Sequence, residues 1–241
     1  MRNVFILTFI AIIFFMALRS SVAGMLSYWW FAYFRPQDWI WLDVTRFRLP
    51  LLAALLFVIP SLLRGFFPEV KDKLAVLMLL FLSTAVLSKL ANGCSDIFQV
   101  ISPIQQLVVM FVCIFMTIRV VESKLYLFYL FAVIGLSLSF YGTKAGLHSL
   151  LGGGASTYGV SNLTGLFQGS NAFAMGSAIY LFFVIFLMQQ LTNKEPLKDF
   201  PAWFTRFPLL VKYAFYIGVI GNILNIMSLS SRGSSLAVGI G

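Results

Sequence analysis

The sequence predicts an all-α fold, a polytopic integral membrane helical bundle of about eight transmembrane segments followed by the start of a ninth. Three observations carry this. The 241 residues are 60% hydrophobic and 10% charged, with a mean hydropathy of +0.94, too little polar surface to clothe a water-soluble domain. Apolar runs of roughly 15 to 22 residues recur between short charged connections, and about 20 apolar residues cross a hydrocarbon core as a helix. Lysines and arginines gather in alternate connections, as in a chain threaded back and forth through a bilayer. No repeat or low-complexity linker divides the chain, so residues 1–241 read as one transmembrane helical domain.

The first run, residues 4–18, follows Met1-Arg2. It lacks a small-x-small cleavage site and leads at once into more membrane sequence, so it is expected to remain as an anchor. The second, 22–34, is short and ends in SYWWFAYFRPQDWIWLD, where Trp29, Trp30, Trp39 and Trp41 mark a membrane interface. An indole buries its ring there and keeps its N–H wet. Pro36 ends that helix. Runs 49–63, 74–89, 104–118, 125–140, 172–191 and 209–229 follow, and a further run begins after Arg232. Basic residues at Arg64, Lys71 and Lys73, at Arg119 and Lys124, and at Lys194, Lys198, Arg206 and Lys212 place three connections in the cytoplasm. The same count puts Arg19 inside and Met1 outside, with a re-entrant segment among the first two as the alternative. Residues 192–208 interleave Phe200, Trp203, Phe204 and Phe207 with Lys198 and Arg206, an amphipathic pattern suited to cytoplasmic headgroups.

Between the sixth and seventh runs lies a polar, glycine-rich island, residues 141–173, YGTKAGLHSLLGGGASTYGVSNLTGLFQGSNAF. It holds eight of the 18 glycines, Lys144, and the only histidine, His148. Glycine loses the most backbone entropy when fixed in a helix, so the island is expected to be an external loop, which is where function concentrates. Asn162-Leu163-Thr164 in it also fits an N-glycosylation sequon.

The charge of +9 implies topology and contact with anionic membrane lipids rather than nucleic acid. Cys94 and Cys113 lie in separate segments without a C-x-x-C or histidine partner, which assigns neither a metal nor a disulfide framework, and no cofactor motif is present. Asp38, Asp43 and Asp96 are isolated, so the catalytic residues are not identified. The eighth run carries Asn222, Asn225 and Ser228 on one side of a helix that points toward Arg232. Two readings stand. The asparagines bond to neighbouring helices while Arg232 snorkels to headgroups, or the stripe leads to an anion site at Arg232. The second suits an arginine fork beside the backbone N–H groups of Gly233-Ser234-Ser235, with Lys144 as a further cation. His148 fits an interfacial hydrogen-bonding residue better than a catalytic one, having no acidic or cysteine partner nearby in sequence.

The blocks ALRSSVAGMLSYWWFAYFRPQDW, SFYGTKAGLHSLLGGG, GLFQGSNAFA and SLSSRGSSLA resemble the polytopic O-antigen ligase and polymerase superfamily, nearest to its exosortase-associated O-glycosylation ligases. The resemblance implies transfer of a glycan from an undecaprenyl-diphosphate-linked oligosaccharide donor to an acceptor hydroxyl at the periplasmic face of the bacterial inner membrane. Ser231-Arg232-Gly233 is the matching motif, so Arg232 inherits the grip on the diphosphate. The family's Asn-Pro-His reads Arg35-Pro36-Gln37 here, and its Asp-Asn-Asn reads Gly169-Ser170-Asn171. His148 does not match the family's catalytic histidine, which belongs to a large periplasmic loop beyond the position of Gly241. The chain is therefore expected to be the N-terminal, donor-binding part of a longer enzyme or a shortened relative. The alternative is a noncatalytic membrane scaffold packing with other membrane protein subunits, for which the 26 phenylalanines supply contact area.

Overall fold

Eight α-helices and no strand occur among the residues that the computed structural model describes, namely 2–36, 48–68, 73–91, 97–151, 170–192 and 208–228. They are α1 (Arg2–Arg19), α2 (Ser21–Tyr33), α3 (Leu49–Leu63), α4 (Lys73–Ala91), α5 (Ile97–Val120), α6 (Lys124–Leu151), α7 (Ser170–Thr192) and α8 (Pro208–Ser228). Each of the eight expected apolar runs between residues 4 and 229 coincides with one helix, and the all-α class holds among the described residues. The extents of two helices differ from expectation. α5 is already helical at Ile97, ahead of Pro103, and α6 continues through Tyr141 to Leu151. The start of the glycine-rich island is thus helix rather than loop. Residues 152–169, the amphipathic stretch 193–207, the start of a ninth segment and Arg232 lie outside the described residues, as do Asp38, Trp39, Trp41, Asp43, Cys94 and Asp96.

Among the described residues α6 is the one helix long and apolar enough to cross a membrane, with 28 residues and an axial length of about 42 Å. Shorter apolar helices occupy Asn3–Arg19, Leu49–Leu63, Ala75–Lys89, Ile104–Val120 and Phe173–Phe186.

The chain divides into two compact units, Met1–Leu127 and Phe128–Gly241. In the first, α1 and α2 form a hairpin broken at Ser20 alone, whose backbone is extended (φ −140°, ψ 130°). Its hydroxyl accepts the Ala23 N–H at 3.5 Å, so one residue both ends a helix and caps the next. Ile10, Phe31, Leu49 and Ala53 form the core between α1, α2 and α3. The rings of Phe14 and Phe31 stack above it at 5.2 Å. Gly24 lets α3 approach closely, since a Cβ there would stand 3.1 Å from the Phe57 Cα. At the end of α3, Arg64 donates to Ser21 Oγ at 3.2 Å and to the Leu18 carbonyl, tying that helix to the α1–α2 turn.

α5 joins the same unit through a polar relay. Trp29 Nε1 donates to Thr117 Oγ1 at 2.9 Å, and that hydroxyl donates to the Cys113 carbonyl at 2.7 Å. The Trp29 N–H therefore finds a protein acceptor instead of the wet interface expected for it, because Thr117 lies within reach across the helix pair. α4 packs on α5 through Ala75, Phe111 and Phe115. Cys113 is buried and unbridged.

Candidate functional site

In the second unit, the polar side chains that sequence places in apolar runs converge between α6, α7 and α8. Four glycines make this possible by bringing backbones together. A Cβ on Gly146 would stand 1.9 Å from the Gly221 carbonyl oxygen, and one on Gly221 would stand 2.7 Å from the Thr143 Cα. Gly142 and Gly218 leave room for side chains instead. A Cβ on Gly142 would meet Asn222 Oδ1 at 1.9 Å, and one on Gly218 would meet the Tyr180 hydroxyl at 2.5 Å. The helix tolerates Gly142 and Gly146 because close packing of α6 on α8 outweighs the propensity cost of about 1 kcal/mol each.

Asn222 and Asn225 are buried completely or nearly so. Asn222 Nδ2 donates to the Gly218 carbonyl of its own helix at 2.7 Å, with Ser139 Oγ at 3.4 Å and Thr143 Oγ1 at 3.5 Å on α6. Asn225 Nδ2 donates to Ser177 Oγ on α7 at 3.0 Å. The Tyr180 hydroxyl and Ser139 Oγ both face Gly218, at 2.5 and 3.0 Å from where a Cβ would stand. Among the described residues, no conventional donor reaches Asn222 Oδ1. The Gly142 hydrogen that a Cβ would replace points at that oxygen, a Cα–H···O contact typical of close helix pairs. Backbone and side-chain polar groups thus satisfy one another across three helices.

Of the residues expected to form a site, the structure places Asn222 and Asn225 on one buried side of α8 and engages both in helix packing. Ser228 is half-buried, and its hydroxyl donates to the Asn225 carbonyl at 2.8 Å within α8. Lys144 does not join them. It is exposed on α6 with His148 one turn further on, while Gly142, Ala145, Gly146 and Ser149 are buried on the opposite side. Lys144 also lies within the helix, two turns before its end, rather than beside a loop. Arg232 follows α8 by four residues, outside the described region.

Sequence reasoning missed Ser139, Ser177 and Tyr180, hydroxyls in apolar runs, and Thr143, a hydroxyl in the glycine-rich island. The available signal was Gly142-Thr-Lys-Ala-Gly146, two small residues four apart, a spacing that favours helix–helix contact. Chemically the cluster is neutral amides and hydroxyls, able to align helices and accept or donate hydrogen bonds. No group of three or more His, Cys, Asp or Glu side chains suited to a metal ion occurs among the described residues.

No curated protein and no solved structure matches the chain. A family model described as a family of unknown function, DUF5935, matches residues 1–194, which takes in α1 to α7 and ends before α8. The chain belongs to that family.

Proposed function

We propose that this chain is a polytopic protein of the bacterial inner membrane and forms the donor-binding portion of an enzyme that transfers a glycan from an undecaprenyl-diphosphate carrier to an acceptor hydroxyl on the periplasmic side. The observation that carries the membrane reading is the apolar outer surface of α6, α7 and α8, combined with small and polar residues at their contacts. Between helices lie Gly142, Gly146, Ser139, Ser177, Asn222 and Asn225, whereas Phe131, Phe140, Ile179, Phe182, Ile217 and Ile220 are exposed. Water would drive those large side chains inward, but in lipid they cost nothing outside, and helices associate through small residues and hydrogen bonds.

The glycan-transfer reading draws its support from Ser231-Arg232-Gly233. A planar guanidinium suits diphosphate oxygens, and cationic groups at a departing lipid diphosphate stabilise the charge that develops on it. A noncatalytic scaffold is the second reading. It is favoured by Asn222 and Asn225, whose amides serve packing, and by Lys144, which faces away from them.

The test is donor binding by purified full-length protein carrying Arg232→Gln or Arg232→Lys, with membrane expression as control. Binding should weaken by about 2–5 kcal/mol in the glutamine variant and less in the lysine variant, as for truncated buried charge pairs. Wild-type binding by well-expressed Arg232→Gln would remove the anion site and leave the scaffold reading ahead.

A further inference from the structure

The first unit carries a second feature, remote in sequence from Arg232. Arg19 ends α1, Arg64 ends α3, and the Arg64 guanidinium is held on the α1–α2 turn by Ser21 Oγ and the Leu18 carbonyl, the residue next to Arg19. Two exposed guanidinium-bearing residues therefore bracket a one-residue turn. The arrangement is fixed on both sides. Arg64 is pinned by its two hydrogen bonds, and the Arg19 Cζ lies 4.6 Å from the centre of the Phe15 ring, within cation–π range.

We propose that Arg19 and Arg64 form a headgroup site for an anionic phospholipid. The apolar surroundings select a lipid over free phosphate. Leu18, Leu63 and Phe67 are 51%, 84% and 63% exposed beside the two arginines, and Phe15 is 55% exposed beneath Arg19. A free anion gains nothing from those side chains. Acyl chains below a phosphate would cover them, while the guanidiniums reach the headgroup level. Arg19 can present its fork to phosphodiester oxygens, while Arg64, whose two terminal nitrogens already donate to the turn, contributes positive charge. The site lies on the side of the chain that the positive-inside pattern assigns to the cytoplasm, where anionic lipid attracts basic residues. It rests on the membrane reading above but not on glycan transfer.

The experiment uses the full-length protein in detergent micelles titrated with phosphatidylglycerol or phosphatidylcholine, with bound lipid read by native mass spectrometry. Wild type should prefer phosphatidylglycerol. Arg19→Gln should reduce that preference about five-fold, the effect of one cation near an anionic surface. Arg64→Gln should reduce it by a similar factor, since it too removes one cation. Because Arg64 also ties α3 to the turn, Arg19→Gln is the decisive variant, with its melting temperature checked against wild type. Lys89→Gln removes an exposed cation at the far end of α4 and should leave the preference unchanged. Equal losses in Lys89→Gln and Arg19→Gln would overturn the site in favour of overall charge. Displacement of phosphatidylglycerol by millimolar inorganic phosphate would overturn the choice of a lipid. Extraction of the protein from membranes by alkaline carbonate would overturn the membrane reading beneath it, whereas carbonate-resistant protein with no lipid preference would overturn the site alone.

Discussion

Gly146→Ala tests the α6–α8 contact most sharply, because in a helix the same substitution ordinarily stabilises. Propensity alone favours alanine by about 1 kcal/mol. Against this, the new Cβ would lie 1.9 Å from the Gly221 carbonyl oxygen and 2.9 Å from its carbon. Those are backbone atoms of a packed helix and cannot rotate away. Relief requires α6 and α8 to part by about 1.5 Å, and overpacking of that kind typically costs about 1–3 kcal/mol. The same separation breaks the contacts of Asn222 with Ser139 and Thr143, already at 3.4 and 3.5 Å, at about 0.6 kcal/mol for each membrane hydrogen bond. Destabilisation therefore wins, by about 1–3 kcal/mol after the propensity gain is subtracted. Gly142→Ala should cost less, because its Cβ meets the end of the Asn222 side chain, which can turn at the expense of its bond to the Gly218 carbonyl. The assay is reversible unfolding in mixed micelles as dodecyl sulfate is raised, followed by circular dichroism. A Gly146→Ala protein as stable as wild type, or more so, would refute the close approach of the two helices.

Two further outcomes follow from the hydrogen bonds. A double-mutant cycle of Asn225→Ala and Ser177→Ala should give a coupling of about 0.6 kcal/mol and at most about 1.7, the range for hydrogen bonds between membrane helices, and zero coupling would remove the α7–α8 bond from the account. Thr117→Val should destabilise the first unit by about 1–3 kcal/mol by stranding the Trp29 N–H, and adding Trp29→Phe should recover part of that loss; a double variant worse than the sum of the singles would contradict it.

Helix positions were legible because apolar runs and breaks are strong signals. α3 occupies residues 49–63 as expected, with Pro50 pre-set for its first turn and Arg64 past its end. α6 extends beyond its expected end for a physical reason. Gly142 and Gly146 signal a loop when intrinsic propensity is consulted, yet here they are the surface on which another helix sits, and tertiary packing overrides the local cost. The pairing of Asn222 with Asn225 on one face was visible from their three-residue spacing. Their partners were not, because single hydroxyls such as Ser139 and Ser177 carry no periodic signature and depend on which helices meet. The same limit separated Lys144 from the stripe. Its nearness to the glycines in sequence suggested a shared site, but two residues along a helix turn it roughly 200° away from Gly142.

Accessibility across the membrane tests the central claim, that the chain threads the bilayer with its basic connections inside, more directly than any activity. Cysteines are introduced at Ser156 and at Lys198 in a background carrying Cys94→Ser and Cys113→Ser, and intact cells are treated with a membrane-impermeant thiol reagent. The cysteine at position 156 should label from outside, and the one at position 198 only after the membrane is opened. Labelling of both in sealed cells, or of position 198 alone, would contradict it.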